Sequence, residues 1–186
     1  MAWSLTYWRM LVLSIVMLIV DTVAVLLGSV LLLRFWMQAT RVRPPSSVAQ
    51  FTFQLSDWLV RPMRRIVPGV GGYDWASLLG AFLIVLLASS VMFIAGAPVE
   101  MVLKVALYRF LQWILYGFMI LLVIEAIFSW INPQAPLAPF IRALNEPLLR
   151  PIRRVVPLVG NLDLSLLVAL VLLQIAQLVL RMVFGM

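Results

Sequence analysis

The densest polar chemistry in the chain lies in two stretches, RPMRRIVPGVGGYD (Arg61 to Asp74) and RPIRRVVPLVGNLD (Arg150 to Asp163). Each carries arginines at i, i+3 and i+4, which on a helix share one face: Arg61, Arg64 and Arg65 in the first, Arg150, Arg153 and Arg154 in the second. A guanidinium is a planar fork that grips phosphate or carboxylate bidentately, whereas lysine is a point charge. Every basic residue in the segments around these stretches is arginine. The expectation is therefore a pair of surfaces that bind the phosphate of lipid headgroups or of a partner. Pro151 suits the first turn of a short helix, while Pro157 and Gly160 turn the chain after it. Asp74 and Asp163 stand where they would cap the helices that follow. A plainer reading competes: the arginines only set orientation in a membrane and pair locally, Asp57 with Arg61 and Glu146 with Arg150 at i, i+4.

Other chemistry is narrowed by what the sequence lacks. It contains no cysteine and no histidine, so thiolate metal sites, thiol catalysis and most zinc, haem or triad chemistry lose their usual groups. No metal and no cofactor is expected. An enzyme acting on a lipid phosphate would need a nucleophile or base beside the arginines, and Asp74 and Asp163 are committed to capping. The reading is non-enzymatic.

The two stretches belong to a longer repeat. A shift of 89 positions lays Arg61–Leu78 on Arg150–Leu167 with ten of eighteen columns identical, and upstream it pairs Phe51 with Phe140, Leu55 with Leu144, Asp57 with Glu146 and Leu59 with Leu148. The chain of 186 residues is 65% hydrophobic and 11% charged with a mean hydropathy of +1.11, against about 25% charged for a soluble domain. Four stretches are long and apolar enough to span a bilayer: Met10 to Trp36, Trp75 to Gly96, Ala106 to Ile131 and Leu164 to Phe184. The first run is longer than a signal-peptide core, so it is read as a retained helix. The fold class expected is all-α: four transmembrane helices as two parallel repeats, 1–96 and 106–186, joined by a non-cytoplasmic connection at 97–105. Each repeat reads as helix, amphipathic interfacial segment with the Arg-Pro motif, helix.

Two spans per repeat give both copies the same polarity in the membrane. The motif loops hold nine arginines, Arg41 and Arg43 among them, and the opposite side only Arg9, Lys104, Arg109 and Arg181. The positive-inside rule then puts the motif loops in the cytoplasm and both termini outside. Ahead of the first motif, Phe51, Leu55, Trp58 and Leu59 form an apolar stripe at helical spacing. Phe140, Ile141, Leu144 and Leu148 resemble it, with Pro147 shortening or kinking the second helix. Apolar stripe followed by arginine is the pattern of a segment lying in the headgroup layer, and the expected partner is a bilayer with anionic phospholipid.

Three charges fall inside predicted spans, where ionised groups are costly and are paired or functional. Arg34 and Glu125 lie at similar depth in the first and third helices and are expected to form a salt bridge between the halves. Asp21 lies thirteen residues before Arg34, about 20 Å along a helix, at the depth of Ser89, Ser90, Gln174 and Gln177. It is expected to hydrogen-bond there as a packing layer; the other reading is an ion or proton site.

The stretch NEPLLRPIRRVVPLVGNLDLS, with SWINP before it at Ser129–Pro133, and its weaker copy SDWLVRPMRRIVPGVGGYD resemble the YggT (YlmG) family of bacterial and plastid membrane proteins. The resemblance covers almost the whole chain. It implies a multi-pass protein of the bacterial inner membrane, and links to osmotic stress, cell-division gene neighbourhoods, nucleoid distribution and plastid cytochrome assembly. The first copy departs from the pattern, with RVRPP (Arg41–Pro45) in place of SWINP, so a function carried by that stretch belongs to one half. The leading expectation is a scaffold or assembly factor whose basic segments engage anionic lipid or a membrane or cytoplasmic protein partner. The alternative is an ion-transport or channel component, which with four helices and one buried acid would need a homo-oligomer. The pI of about 11.1 does not indicate direct nucleic-acid binding, because the charge is confined to the membrane surface and no recognition motif accompanies it.

Overall fold

The computed structural model describes residues 2–156 and 163–186, and for residues 2–7, 9, 10 and 95 their backbone only. The expectations for Pro157 and Gly160 lie outside the described residues. These form six α-helices and no strand: α1 (Ala2–Ala39), α2 (Ser46–Ile66), α3 (Trp75–Ser90, extended by a 3₁₀ turn at Val91–Ala95), α4 (Val99–Ile131), α5 (Ala138–Arg153) and α6 (Leu164–Phe184). Four are long and apolar enough to cross a membrane, over Leu11–Ala39, Trp75–Ile94, Val99–Ile131 and Leu164–Phe184. Apolar runs of this length become helices because a bilayer offers the backbone no hydrogen-bond partner but itself.

Between the spans, α2 and α5 are amphipathic. Helix α2 lies against α1 and α3, and α5 against α4 and α6, while α4 also meets α3 and α1. Apolar side chains gain little by leaving lipid for protein, so close van der Waals fit must hold the spans together. Helix α3 supplies it with small buried residues: Ala76, Ser77, Gly80, Ala81 and Ala88. Gly28 of α1 does the same against α4, since a Cβ there would run into the ring of Trp113. One cluster joins α1, α2, α3 and α4 around Leu31, Val60, Val85 and Trp113, and a second joins α4, α5 and α6 around Leu122, Leu149 and Leu173.

Three local expectations are corrected. The third span starts before Ala106, because α4 begins at Val99 behind an N-cap Pro98 whose carbonyl accepts Val102 N–H at 3.2 Å, with acidic Glu100 favourable in the first turn. Pro151 does not begin a short helix but lies inside α5, as Pro62 lies inside α2, and Pro147 lies inside α5 without ending it. Each proline leaves one helical carbonyl unpaired, but Leu144, Asn145 and Leu149 are buried around those turns and hold α5 in place. The apolar stripe of α5 is not free for lipid either. Phe140, Ile141 and Leu144 pack with Met37 of α1, and Trp36 Nε1 donates to Leu144 O at 2.9 Å.

Candidate functional site

The Arg-rich segments meet the spanning helices in two polar clusters. In the first, every fourth residue of α2 from Thr52 through Ser56 and Val60 is buried, and Arg64 continues that row. Helical geometry therefore turns Arg64 toward the bundle. Its NH2 donates to Asp74 Oδ2 at 2.6 Å, and its Nε lies 3.3 Å from Oδ1. Asp74 is only 2% exposed and also accepts from Ser77 Oγ at 2.7 Å. It stands at the N-cap position of α3, yet its side chain makes no capping bond to the backbone. From below, Arg34 of α1 donates through NH1 to Ser56 Oγ at 2.6 Å and Asp57 Oδ1 at 2.7 Å, and its Nε lies 3.4 Å from Asp74 Oδ2. Asp57 also binds Arg61 at 2.8 Å, the local i, i+4 pair expected from the spacing.

These contacts fix the charge states. The Arg34 hydrogen bond holds the Asp57 carboxyl below its ordinary range, with Arg61 adding to the effect. Burial pushes Asp74 up, but the Arg64 and Ser77 hydrogen bonds and the Arg64 and Arg34 charges outweigh it and leave it lowered.

The second cluster repeats the frame with the charges rearranged. The row Ile141, Asn145, Leu149 is buried on α5, and Arg153 continues it. Arg153 reaches Asp163 at 2.9 Å, Glu146 at 3.0 Å and Glu125 of α4 at 3.3 Å. Asn145 donates Nδ2 to Glu125 Oε2 at 2.7 Å and to Leu121 O at 2.9 Å. Asp163 caps α6 as expected, accepting Ser165 N–H at 3.0 Å. Burial pushes its carboxyl up, and the Ser165 and Arg153 hydrogen bonds bring it below the ordinary value. One cluster is thus three arginines on two carboxylates, and the other is one arginine on three carboxylates.

Three pairing expectations fail. Arg34 and Glu125 are not partners, because each is claimed within its own half, Arg34 by Asp57 and Asp74 and Glu125 by Arg153 and Asn145. Equal depth put them at one level but did not face them toward each other. Likewise Asp21 is not held by the hydroxyl and amide layer. Arg109 of α4 binds it at 2.6 Å, while Gln177 points at Met119, Gln174 is exposed, Ser90 Oγ donates to its own helix at Leu87 O, and Ser89 Oγ is buried without a partner. A long arginine side chain can cross between helices where short polar groups cannot. Glu146 also pairs with Arg153 and not with Arg150.

The six motif arginines therefore do not converge as two sets of three. Arg64 and Arg153 turn inward onto carboxylates, and Arg61 lies on Asp57 with 79% of its side chain exposed. Arg65, Arg150 and Arg154 are exposed and form no ion pair among the described residues. Each motif ends in an aliphatic residue left in the open, Ile66 and Val155, both 82% exposed. Of the α2 stripe, Phe51, Leu55 and Trp58 are exposed as well, while Leu59 packs against the core of α1 and α3. An open cleft of about 630 Å³ separates the end of α1 from α2, walled by Arg34, Arg41, Asp57, Arg61 and Arg64 with Phe53. The Arg34 guanidinium carbon sits 4.9 Å above the Phe53 ring centre.

Sequence reasoning missed Ser56 and Asn145, the buried polar residues that receive Arg34 and Glu125. The signal was available: both stand eight residues before the inward arginine, on its own i+4 row.

Comparison with known proteins places this architecture. The sequence model of the CCB3/YggT family matches residues 13–95 and again 105–184. A Vibrio alginolyticus protein in the proC 3′ region is 32% identical over 165 residues, covering 84% of this chain and 88% of its own. The Escherichia coli K12 protein YggT is 34% identical over 159 residues, covering 84% of each. A Pseudomonas aeruginosa protein is 32% identical over 164 residues, covering 84% of this chain and 83% of its own. No solved structure matches. These relatives point to no enzymatic family, and two matches spanning nearly all of four apolar helices show that the chain belongs to the CCB3/YggT family.

Proposed function

We propose that the protein is a non-enzymatic scaffold or assembly factor of the bacterial inner membrane, whose two Arg-Pro segments grip the cytoplasmic headgroup layer of anionic phospholipid. In this reading the chain is two parallel repeats, with α2 and α5 at the cytoplasmic interface and both termini on the outer side. The observation that carries it is the outward set: Arg65, Arg150 and Arg154, exposed and without ion-pair partners among the described residues, flanked by exposed Ile66 and Val155. Arginine beside an exposed aliphatic side chain suits the boundary between headgroups and acyl chains. Each such charge near an anionic leaflet contributes about 1 kcal/mol. The inward arginines have a different task, holding α2 and α5 against the spans so that the outward set stays level with the headgroups. Transport is the weaker reading, because Asp21 is already neutralised by Arg109 at 2.6 Å.

The test separates charge from geometry. A triple variant Arg65→Lys, Arg150→Lys, Arg154→Lys keeps the charges that set orientation but loses the bidentate forks. It should insert like the wild type and retain less anionic phospholipid through purification. Equal retention would leave the arginines as orientation signals only. Orientation itself is checked by labelling Ser47→Cys in intact cells, where modification by an impermeant reagent from outside would refute the cytoplasmic assignment.

A further inference from the structure

The two halves share a frame but not its charges, and the difference gathers in the cleft between α1 and α2. Its walls hold four guanidinium groups, Arg34, Arg41, Arg61 and Arg64, against Asp57 on the wall and Asp74 behind it, so two positive charges are left uncompensated. Arg34 is 6% exposed and its Nε makes no hydrogen bond. Arg61 spends Nε and NH2 on the single oxygen Asp57 Oδ2, which leaves the rest of its fork free. Arg41 forms no ion pair among the described residues.

The backbone at Arg41 is the second observation. Its φ is +56°, the left-handed conformation, in a chain where every other described residue with positive φ is glycine. The segment ends α1 in a Schellman turn: Val42 N–H bonds Met37 O at 3.0 Å and Arg41 N–H bonds Gln38 O at 3.1 Å. Glycine fits that position without a steric penalty, and a side chain does not. An arginine held there in strain, on the wall of a cationic cleft, is the kind of outlier that marks a binding residue.

The second half cannot do the same. Two residues past the end of α4 stands Pro133, where α1 is followed by Arg41, and the charge near the end of α4 is the carboxylate Glu125 where α1 has Arg34. Around Arg153 the carboxylates are in excess.

We infer that the α1–α2 cleft binds one phosphate group, gripped by Arg41 and Arg61 while Arg34 and Arg64 supply its positive potential. The inference rests on the headgroup reading above and narrows it to one half of the chain. Of the remaining walls, Met37, Val42, Pro44 and Phe53 are apolar and suit the part of a phospholipid next to its phosphate, with the Gln38 amide and Gly72 beside them.

The decisive variant is Arg41→Gly, which removes the fork and relaxes the backbone, so the unfolding midpoint should stay or rise. In nanodiscs containing phosphatidylglycerol, retention of that lipid by the protein should fall about tenfold, the loss of one charge-assisted contact. Arg150→Gln, outside the cleft but in the outward set, should lower it by no more than about fivefold, the worth of one charge near an anionic leaflet, and should leave phosphate binding unchanged. A second arm adds inorganic phosphate to the protein in neutral-lipid nanodiscs. Binding there that Arg41→Gly abolishes assigns the site to a phosphate compound from solution, and lipid retention without such binding assigns it to a headgroup. Equal effects of Arg41→Gly and Arg150→Gln in both arms overturn the cleft and leave the general headgroup reading standing. Should neither of these variants nor the triple Lys variant change retention, both readings fail together.

Discussion

Asp74 is the most informative single position for the stability of the first cluster. Replacing it with Asn keeps shape and volume but removes the charge that Arg64 meets at 2.6 Å and Arg34 at 3.4 Å. Deleting one member of a buried ion pair costs about 3–5 kcal/mol, because the remaining charge is stranded out of water. Two features pull the figure to the low end: Arg34 keeps Asp57 at 2.7 Å, and Arg64 is 46% exposed and can hydrate. The expected loss is about 3 kcal/mol, roughly a hundredfold in the unfolding constant. Arg64→Gln should cost less, about 1 kcal/mol, since Asp74 retains Arg34 and the Ser77 hydroxyl and the lost partner was half in solvent. Denaturant titration in detergent micelles, read by the fluorescence of the seven tryptophans, measures both. An Arg64→Gln protein as unstable as Asp74→Asn would refute the claim that losing Asp74 strands its arginines while losing Arg64 leaves Asp74 still paired.

Three further outcomes follow from the same contacts. Exchanging the spanning charges, Arg34→Glu with Glu125→Arg, should be at least as damaging as either change alone, because it sets Glu beside Asp57 and Asp74 and Arg beside Arg153; a rescue by thermal unfolding would restore direct pairing. Asp57, Asp74 and Asp163 are all lowered in the fold, so their stabilisation is complete above the unfolded carboxyl value of about 3.9 and is lost as pH falls through the lower folded values; the unfolding midpoint should be flat from about pH 7 to 5 and drop below about 4, and a midpoint that rises there would contradict the pairing. Gly28→Ala should destabilise by about 1–3 kcal/mol through overlap with Trp113, and Trp113→Leu in that background should recover part of the loss, which additive effects of the two changes would disprove.

Along a single helix the sequence tells which residues can meet, because rise and rotation per residue are constant, though Glu146 passes over Arg150 for Arg153 and Asp74 makes no capping bond. Apolar length alone located α1, α3, α4 and α6, and the repeat located the two Arg-rich segments between them. The Asp57–Arg61 pair and the Asp163 cap were legible for the same reason, since both depend on neighbours within one turn. What lies between helices was not. An ion pair closes within about 4 Å, and whether two side chains come that near depends on how each helix is rotated and where it crosses its neighbour. Nothing local to Arg34, Glu125 or Asp21 records that. Tertiary packing gave Arg34 to Asp57 and Asp74, Glu125 to Arg153 and Asn145, and Asp21 to Arg109. It also turned the stripe of α5 into the protein while leaving Phe51, Leu55 and Trp58 of the α2 stripe outside. Residues matching at a spacing of 89 thus have different surroundings, because Met37 and Trp36 of α1 cover α5 and no equivalent pair covers the α2 stripe.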